Sequence, residues 1–459
     1  MPARRGKGAR DTRGCACGRD LNHLIHQFRK SSTPIGVDFR SLTTCFAYGE
    51  RATHSIHPYP AKLLPQIPHL LLSNEQLCPA GALIADPFCG SGTVLLEASL
   101  AGHQAVGIDC NPLAQLVARV KTQPIDPARL LRAASSLAER VRRMPDCPPP
   151  KVVNLNYWYY PRIIRELSKI REAIQQSRAS DIRDFLEVAF SVAVRKLSLA
   201  DPRVPVPVRQ NPARYRPEHW LREPAEYRLS RLRRIDVLDE YLAILRRNID
   251  RMRSLWDTRD SLAPVAVRWL DVRQLTTERY LTLDKAHFDL ILTSPPYGSA
   301  QKYVRSSSLS LGWLGLCEPS QLSELERSLI GREHYRKAEL QELPRTGLPG
   351  ADRVLSRSYR ANRHRAVGIA SYLIEMRKAL KAMSRQLNPS GHVVLVLGDN
   401  ELLGHRFPTA HYVRSITQEF GFTTKVIMRD TIRSRGLLTK RHRSAGLIAH
   451  EYILVMQRT

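Results

Sequence analysis

The sequence predicts an α/β fold, a mostly parallel, doubly wound sheet interrupted by a helical insert, and three stretches predict it. The apolar run Phe288-Asp289-Leu290-Ile291-Leu292 reads as a buried strand, and Thr293-Ser294-Pro295-Pro296-Tyr297-Gly298 ends it, because proline cannot donate to a sheet ladder. Leu83-Ile84-Ala85 is a second short strand, running into the turn Asp86-Pro87-Phe88-Cys89-Gly90-Ser91-Gly92-Thr93 and then a helix over 94–101. Ala105-Val106-Gly107-Ile108-Asp109 is a third strand that closes on an acid.

Each loop has a chemical character. Two proline rings supply no N–H, so the segment after Leu292 presents carbonyl acceptors beside the Ser294 hydroxyl and the Tyr297 ring. Such a site suits a planar group bearing an amine, although the motif alone also fits an ordinary loop. In the other stretch, glycines let the backbone approach a ligand and the following helix start offers free N–H groups. An acid at the end of the next strand, roughly 20 residues on, suits the paired hydroxyls of a ribose.

Together these residues resemble the S-adenosylmethionine-dependent DNA amino-methyltransferases, which methylate the exocyclic amine of cytosine or adenine. Asp86 to Thr93 is similar to their cofactor loop, and Thr293-Ser294-Pro295-Pro296-Tyr297 to their catalytic loop. The segment His57-Pro58-Tyr59-Pro60-Ala61-Lys62-Leu63-Leu64-Pro65 resembles the stretch that precedes the cofactor loop and covers the methionine end of the cofactor. The resemblance implies a Rossmann-like methyltransferase fold with seven strands, the last one antiparallel between its neighbours. It implies a catalytic set of Ser294, Pro295, Pro296 and Tyr297. For the cofactor it implies His57, Lys62, Asp86, Pro87, Phe88, Gly90, Gly92, Thr93, Asp109, Asp271 and Thr293. Serine at the first loop position is commoner among family members acting on cytosine N4, and aspartate among those acting on adenine N6, so the lean is to cytosine.

A formal net charge of +28 over 459 residues points to a polyanionic partner. Eight scattered cysteines without a paired framework fit a reducing compartment. With no signal-peptide pattern and no apolar run of membrane-spanning length, the expectation is a soluble, cytoplasmic, DNA-associated protein.

In chain order, residues 1–50 read as a basic N-terminal arm, with an amphipathic helix starting near Leu21. Cys15, Cys17, His23 and His26 lack the spacing of a standard zinc finger, and no metal is expected. The cofactor-binding part spans 51–124, and a helix opens at Asn111-Pro112, with proline where a first turn tolerates it.

Over 125–262 the sheet pattern stops. Helices are predicted at 130–141, 163–174, 182–197 and 235–255, and Pro-Val-Pro-Val at 205–208 suggests an extended surface strand. The aromatic run Asn154 to Tyr160 and the following cations, among them Arg195, Lys196 and Arg209, make this insert the candidate DNA-recognition region; the alternative for the aromatics is internal packing.

The sheet resumes at Val265, and Asp271 ends the next strand, either as a cofactor contact or as a helix N-cap. The catalytic-loop part is 263–304, a charged insert follows over 305–365, and 366–459 completes the catalytic domain. Lys302 and Arg305 follow the catalytic loop, and Arg433, Arg435, Lys440, Arg441 and Arg443 lie on the hairpin between the last two strands; all are candidate DNA contacts.

The implied activity is methyl transfer from S-adenosylmethionine to cytosine N4 in a base flipped from duplex DNA. Adenine-N6 methylation, RNA methylation and a catalytically silent DNA-binding protein are the rivals. DNA methylation of this kind admits a separate restriction endonuclease or other defence partner.

Overall fold

The computed structural model describes residues 17–42, 51–275, 287–298, 302–432 and 448–459. Strands β1 (Ile35–Gly36), β2 (Leu83–Asp86), β3 (Gln104–Asp109), β4 (Val265–Trp269), β5 (Phe288–Thr293), β6 (Leu387–Gly398), β9 (Phe422–Thr431) and β10 (His450–Arg458) form one sheet in the order β1-β9-β10-β6-β5-β2-β3-β4. A separate hairpin pairs β7 (Asn400–Leu402) with β8 (His405–Phe407).

All neighbours in the large sheet run parallel except β10, which is antiparallel to both β6 and β9. The expected seven strands are all there, and the short β1 adds an eighth by pairing Ile35 with Met428 and Gly36 with Arg429. The chain runs outward from β2 through β3 to β4, then returns to lay β5 on the other side of β2. The switch point of the winding lies between β2 and β5, where a doubly wound sheet opens a crevice at its carboxyl ends.

β2 and the Ile291–Thr293 end of β5 are buried on both faces, which is why these strands read as continuous apolar runs. Helices Thr93–Leu100 and Arg363–Arg385 contribute to the core around the sheet. A second core unites the insert helices Pro127–Arg143, Pro161–Gln175, Ser180–Leu197 and Val237–Trp256 with Leu113 and Val117 of helix Pro112–Thr122 and with Leu311 and Trp313 of helix Tyr303–Leu314. The insert is thereby tied directly to the helix that follows the catalytic loop.

The structure extends one expectation, corrects a second and adds a helix that the sequence did not announce. The basic arm is structured from residue 17: helix Cys17–Ser31 carries His23 and His26 and sinks Leu21 and Phe28 into the sheet core, while Cys15 lies outside the described residues. The stretch Val204 to Val208 is a tight loop, closed by Asp201 N donating to Val208 O at 2.8 Å and by a lone bridge between Ala200 and Arg209. Pro205 and Pro207 have no N–H with which to extend that bridge into a strand. Helix Arg222–Arg234, with only Ala225 and Leu232 buried, has too narrow an apolar stripe to announce itself by periodicity. Among the described residues, no helix is long and apolar enough to cross a membrane.

Candidate active site

The loop after β2 is shaped by its glycines. Gly92 sits in the left-handed region at φ 76°, and a Cβ there would come within 3.0 Å of the Ala118 Cβ, so a side chain would be both strained and crowded. Helix Thr93–Leu100 starts at Gly92 without a side-chain cap, leaving first-turn N–H groups available, and the buried Thr93 Oγ1 has no partner. Behind the turn, the buried Lys121 donates from Nζ to Ser91 Oγ at 3.1 Å.

Two carboxyls frame this loop. Asp86 accepts at Oδ1 from Thr293 Oγ1 at 2.6 Å and from Phe88 N at 3.3 Å. Burial pushes its carboxyl up to about 7 against those hydrogen bonds. Asp109 accepts from Gly90 N at 3.0 Å and from Asn111 N at 2.8 Å, and burial raises it to about 6. The Cys110 N–H also faces this carboxyl, and the acceptor capacity that remains is available to a ligand hydroxyl. Asn111 caps its helix through Leu113 N and reaches back to the Tyr59 hydroxyl at 3.1 Å.

The segment from Arg51 to Lys62 is bolted over the loop. Glu97, fully buried in the helix after the turn, takes Arg51 at 2.5 Å, His54 at 2.6 Å and His69 at 3.2 Å. Burial pushes the Glu97 carboxyl up, but those donors prevail and hold it well below the usual range. Lys62 donates from Nζ to the His54 carbonyl at 3.3 Å. Tyr59 lies over the turn, its Cε1 3.7 Å from where a Gly90 Cβ would be.

His57 is buried, with burial lowering it to about 3, so its ring is neutral. Its Nε2 is 2.9 Å from Ser191 Oγ in the insert, and Ser191 Oγ donates to Ser310 Oγ at 2.8 Å in the helix after the catalytic loop. Its Nδ1 has no protein partner.

β5 brings the second loop alongside. Ser294 Oγ donates to Val396 O at 3.3 Å, which leaves its lone pairs available. The Tyr297 hydroxyl donates to Glu451 Oε1 at 2.7 Å. Gly298 lies close to Tyr372, where a Cβ would come within 2.9 Å of the ring. Tyr303 lies between the two sites: burial first, then the Asp109 and Glu451 charges, raise its phenol. The structure therefore brings Asp86, Gly90, Gly92, Thr93, Asp109, Thr293, Ser294 and Tyr297 to one end of β2, β3 and β5, with Pro87, Phe88, Pro295 and Pro296 in the same loops.

Other residues have internal work. Asp271 is the N-cap of the turn Val272–Gln274, accepting from Arg273 N at 2.9 Å and pairing with the Arg273 side chain. Arg195 donates to the carbonyls of Asp201 and Val204, and Lys196 pairs with Glu240. Lys302 pairs with Glu333 at 2.6 Å. Arg209 bonds the Tyr157 carbonyl and lies 4.7 Å over the Tyr157 ring. Arg305 is exposed, and Arg433, Arg435, Lys440, Arg441 and Arg443 lie outside the described residues.

The aromatics of the insert divide: Tyr159 is buried edge-on against Trp313 at 5.6 Å, while Tyr157 is exposed. Sequence reasoning overlooked Glu451, Tyr59, Ser191 and Ser310 as site residues. Tyr59 stands inside a quoted motif, whereas the other three have no local signal, because each meets its partner only through tertiary packing.

Residues 58–141 match the family model described as UPF0020, RMKL-like, methyltransferase domain. The chain is 25% identical over 384 residues to the type II methyltransferase M.MvaI of Kocuria varians, a match covering 80% of this chain and 81% of that protein. It is 35% identical over 89 residues to the type II methyltransferase M.MjaII of Methanocaldococcus jannaschii, covering 19% of this chain and 16% of the relative. The crystal structure of a TehB-like SAM-dependent methyltransferase from Corynebacterium glutamicum aligns with a TM-score of 0.27 at 10% identity, covering 96% of this chain and 99% of that one. Family model and relatives agree with the chemistry of the two loops on one class of reaction, and this chain is a methyltransferase.

Proposed function

We propose that the protein is an S-adenosylmethionine-dependent DNA methyltransferase that methylates the N4 amine of cytosine in a base turned out of the duplex. The observation that carries this reading is the hydrogen bond from Thr293 Oγ1 to Asp86 Oδ1 at 2.6 Å. It locks the amine-binding loop to the cofactor loop across adjacent strand ends. Similarity to a type II methyltransferase over most of the chain, together with the +28 formal charge, supports DNA as the substrate.

The residues fit the cofactor. An uncapped helix start, an unpartnered buried Thr93 hydroxyl and the remaining acceptor capacity of Asp109 suit its polar groups, and the Asp86 carboxyl suits its positive end. When bound, the cofactor supplies an electrophilic methyl on a sulfonium. The cytosine amine is a poor nucleophile because its lone pair is delocalised into the ring. Ser294, whose proton is directed to Val396 O, accepts an amine N–H and helps localise that pair, together with a carbonyl of the Ser294-Pro295 unit. Tyr297, held by Glu451, stacks on the base. Fixing the reacting atoms in line supplies about 7–11 kcal/mol of the barrier without a covalent enzyme intermediate. His57 and Lys62 belong to the segment over the cofactor loop, and Asp271 stands at the end of β4 beside β3. Exposed Arg209 and Arg305, with the cations at 433–443, supply phosphate contacts. A restriction endonuclease of matching specificity would be a separate partner.

The test is incubation with unmethylated duplex DNA and S-adenosylmethionine, digestion to nucleosides and mass spectrometry. N4-methylcytosine supports the reading. N6-methyladenine would keep the fold and cofactor but move the target base, and methylation of RNA alone would overturn DNA as the substrate.

Glu451 supplies a second prediction. Glu451→Ala is expected to lower kcat about ten-fold with cofactor affinity unchanged, since it frees the Tyr297 ring. Glu451→Gln, whose amide oxygen still accepts the phenol proton, is expected to retain most activity, as steady-state kinetics of both variants would show.

A further inference from the structure

The insert carries an aromatic ladder that neither loop uses. Tyr215 and His219 stack with centroids 4.9 Å apart and planes at 22°, and His219 continues onto Trp220 at 6.1 Å and 15°. Its outermost ring, Trp220, is 72% exposed. Tyr227, in the helix that follows, is exposed to the same degree, so two of the largest apolar side chains of the insert face water within eight residues.

This ladder is held rigid. Arg203 donates to the Tyr215 hydroxyl at 2.8 Å while its guanidinium is clamped by Asp201. The Leu221 N–H donates to His219 Nδ1 at 3.1 Å, which fixes the imidazole plane and leaves its other nitrogen to carry the proton in the neutral ring. Exposed Arg214 and Arg216 flank Tyr215. A flat, preorganised π surface bordered by cations suits a ligand with an aromatic plane on an anionic backbone.

We propose that Tyr215, His219 and Trp220 form a stacking platform for an unpaired nucleobase of a DNA strand, with Arg214 and Arg216 on its phosphates. This rests on the reading of DNA as the substrate. In an intact duplex both faces of each base are already stacked, so the platform binds DNA whose bases are exposed. Stacking tolerates any base, because each has a π face, and the contact therefore adds affinity without sequence preference.

The test uses the full-length protein, a short oligothymidylate and a blunt duplex of equal length, at low salt, with tryptophan emission as the readout. The single strand is expected to quench wild-type emission more than the duplex does. Trp220→Ala is expected to remove that difference and to weaken single-strand binding about ten-fold. Trp220→Phe, which keeps a ring, is expected to restore most of the affinity. Trp220 is exposed, so thermal melting of both variants should match wild type. Unchanged quenching or unchanged affinity in Trp220→Ala overturns the platform, even if duplex methylation persists. Single-strand stacking that persists in a protein methylating no DNA sinks the enzymatic reading and leaves the platform standing.

Discussion

Replacing Ser294 by alanine is expected to leave S-adenosylmethionine binding intact and to lower methyl transfer by about 10²–10³-fold, the usual cost of removing one preorganised polar group at a reacting centre. The structure explains why the effect should fall on turnover. Ser294 is only partly buried; its bond to the Val396 carbonyl, at 3.3 Å, is long, and its hydroxyl otherwise meets the Tyr297 side chain. Losing it costs little stability. The bond from Thr293 to Asp86, which joins the two loops, does not involve Ser294 at all. Calorimetric cofactor affinity and single-turnover rates separate the two effects, and Ser294→Thr, which keeps a hydroxyl, serves as the rescue. Full activity in Ser294→Ala would remove the residue from the mechanism.

The second large effect is a dependence of cofactor binding on pH. Burial raises the Asp86 carboxyl to about 7, so the free protein holds a proton there at mildly acid pH that the unfolded chain has released. The sign follows from linkage: between the unfolded value near 4 and the folded value near 7, the native state binds more protons, and the free protein loses stability as pH rises through that window. A cofactor with a positive end favours the ionised carboxylate. Its affinity is therefore expected to rise about ten-fold from pH 6 to pH 8, as the ionised fraction climbs through the folded value.

The groups facing Asp86 are Thr293 and the Phe88 N–H, with Asp109 as the nearby charge that adds to the rise. Asp86→Asn keeps an oxygen for both donors and cannot ionise. Its affinity is expected to be weaker at pH 8 and nearly flat above pH 7, leaving the inflection that Asp109 supplies near 6. Titrations of both proteins across this range provide the measurement. An unchanged profile in Asp86→Asn would remove Asp86 from the cofactor's charged end.

The loops were legible because their chemistry is local. Proline cannot continue a strand, glycine alone takes the left-handed turn at position 92 without strain, and apolar runs such as Leu83–Ala85 can only be buried. Basic residues were less legible. Arg195 and Lys196 read as DNA contacts by charge, yet one ties down the carbonyls of a proline-rich loop and the other pairs with Glu240. Charge is visible in a sequence, but an ion-pair partner some 40 residues away is not. The same holds for Asp271, whose carboxylate is engaged by Arg273 at the turn after β4.

The sequence alone established the succession of the seven expected strands along the chain, the two loops and the class of chemistry they fit, since each depends on residue type within a few positions. Tertiary structure alone decided what holds those loops in place. Glu451 reaches Tyr297 from a strand 154 residues later, and Ser191 joins His57 to Ser310 across three separate segments. Such contacts form because a sheet and a helical core bring distant backbone together, and the short-range patterning of the chain carries no record of them.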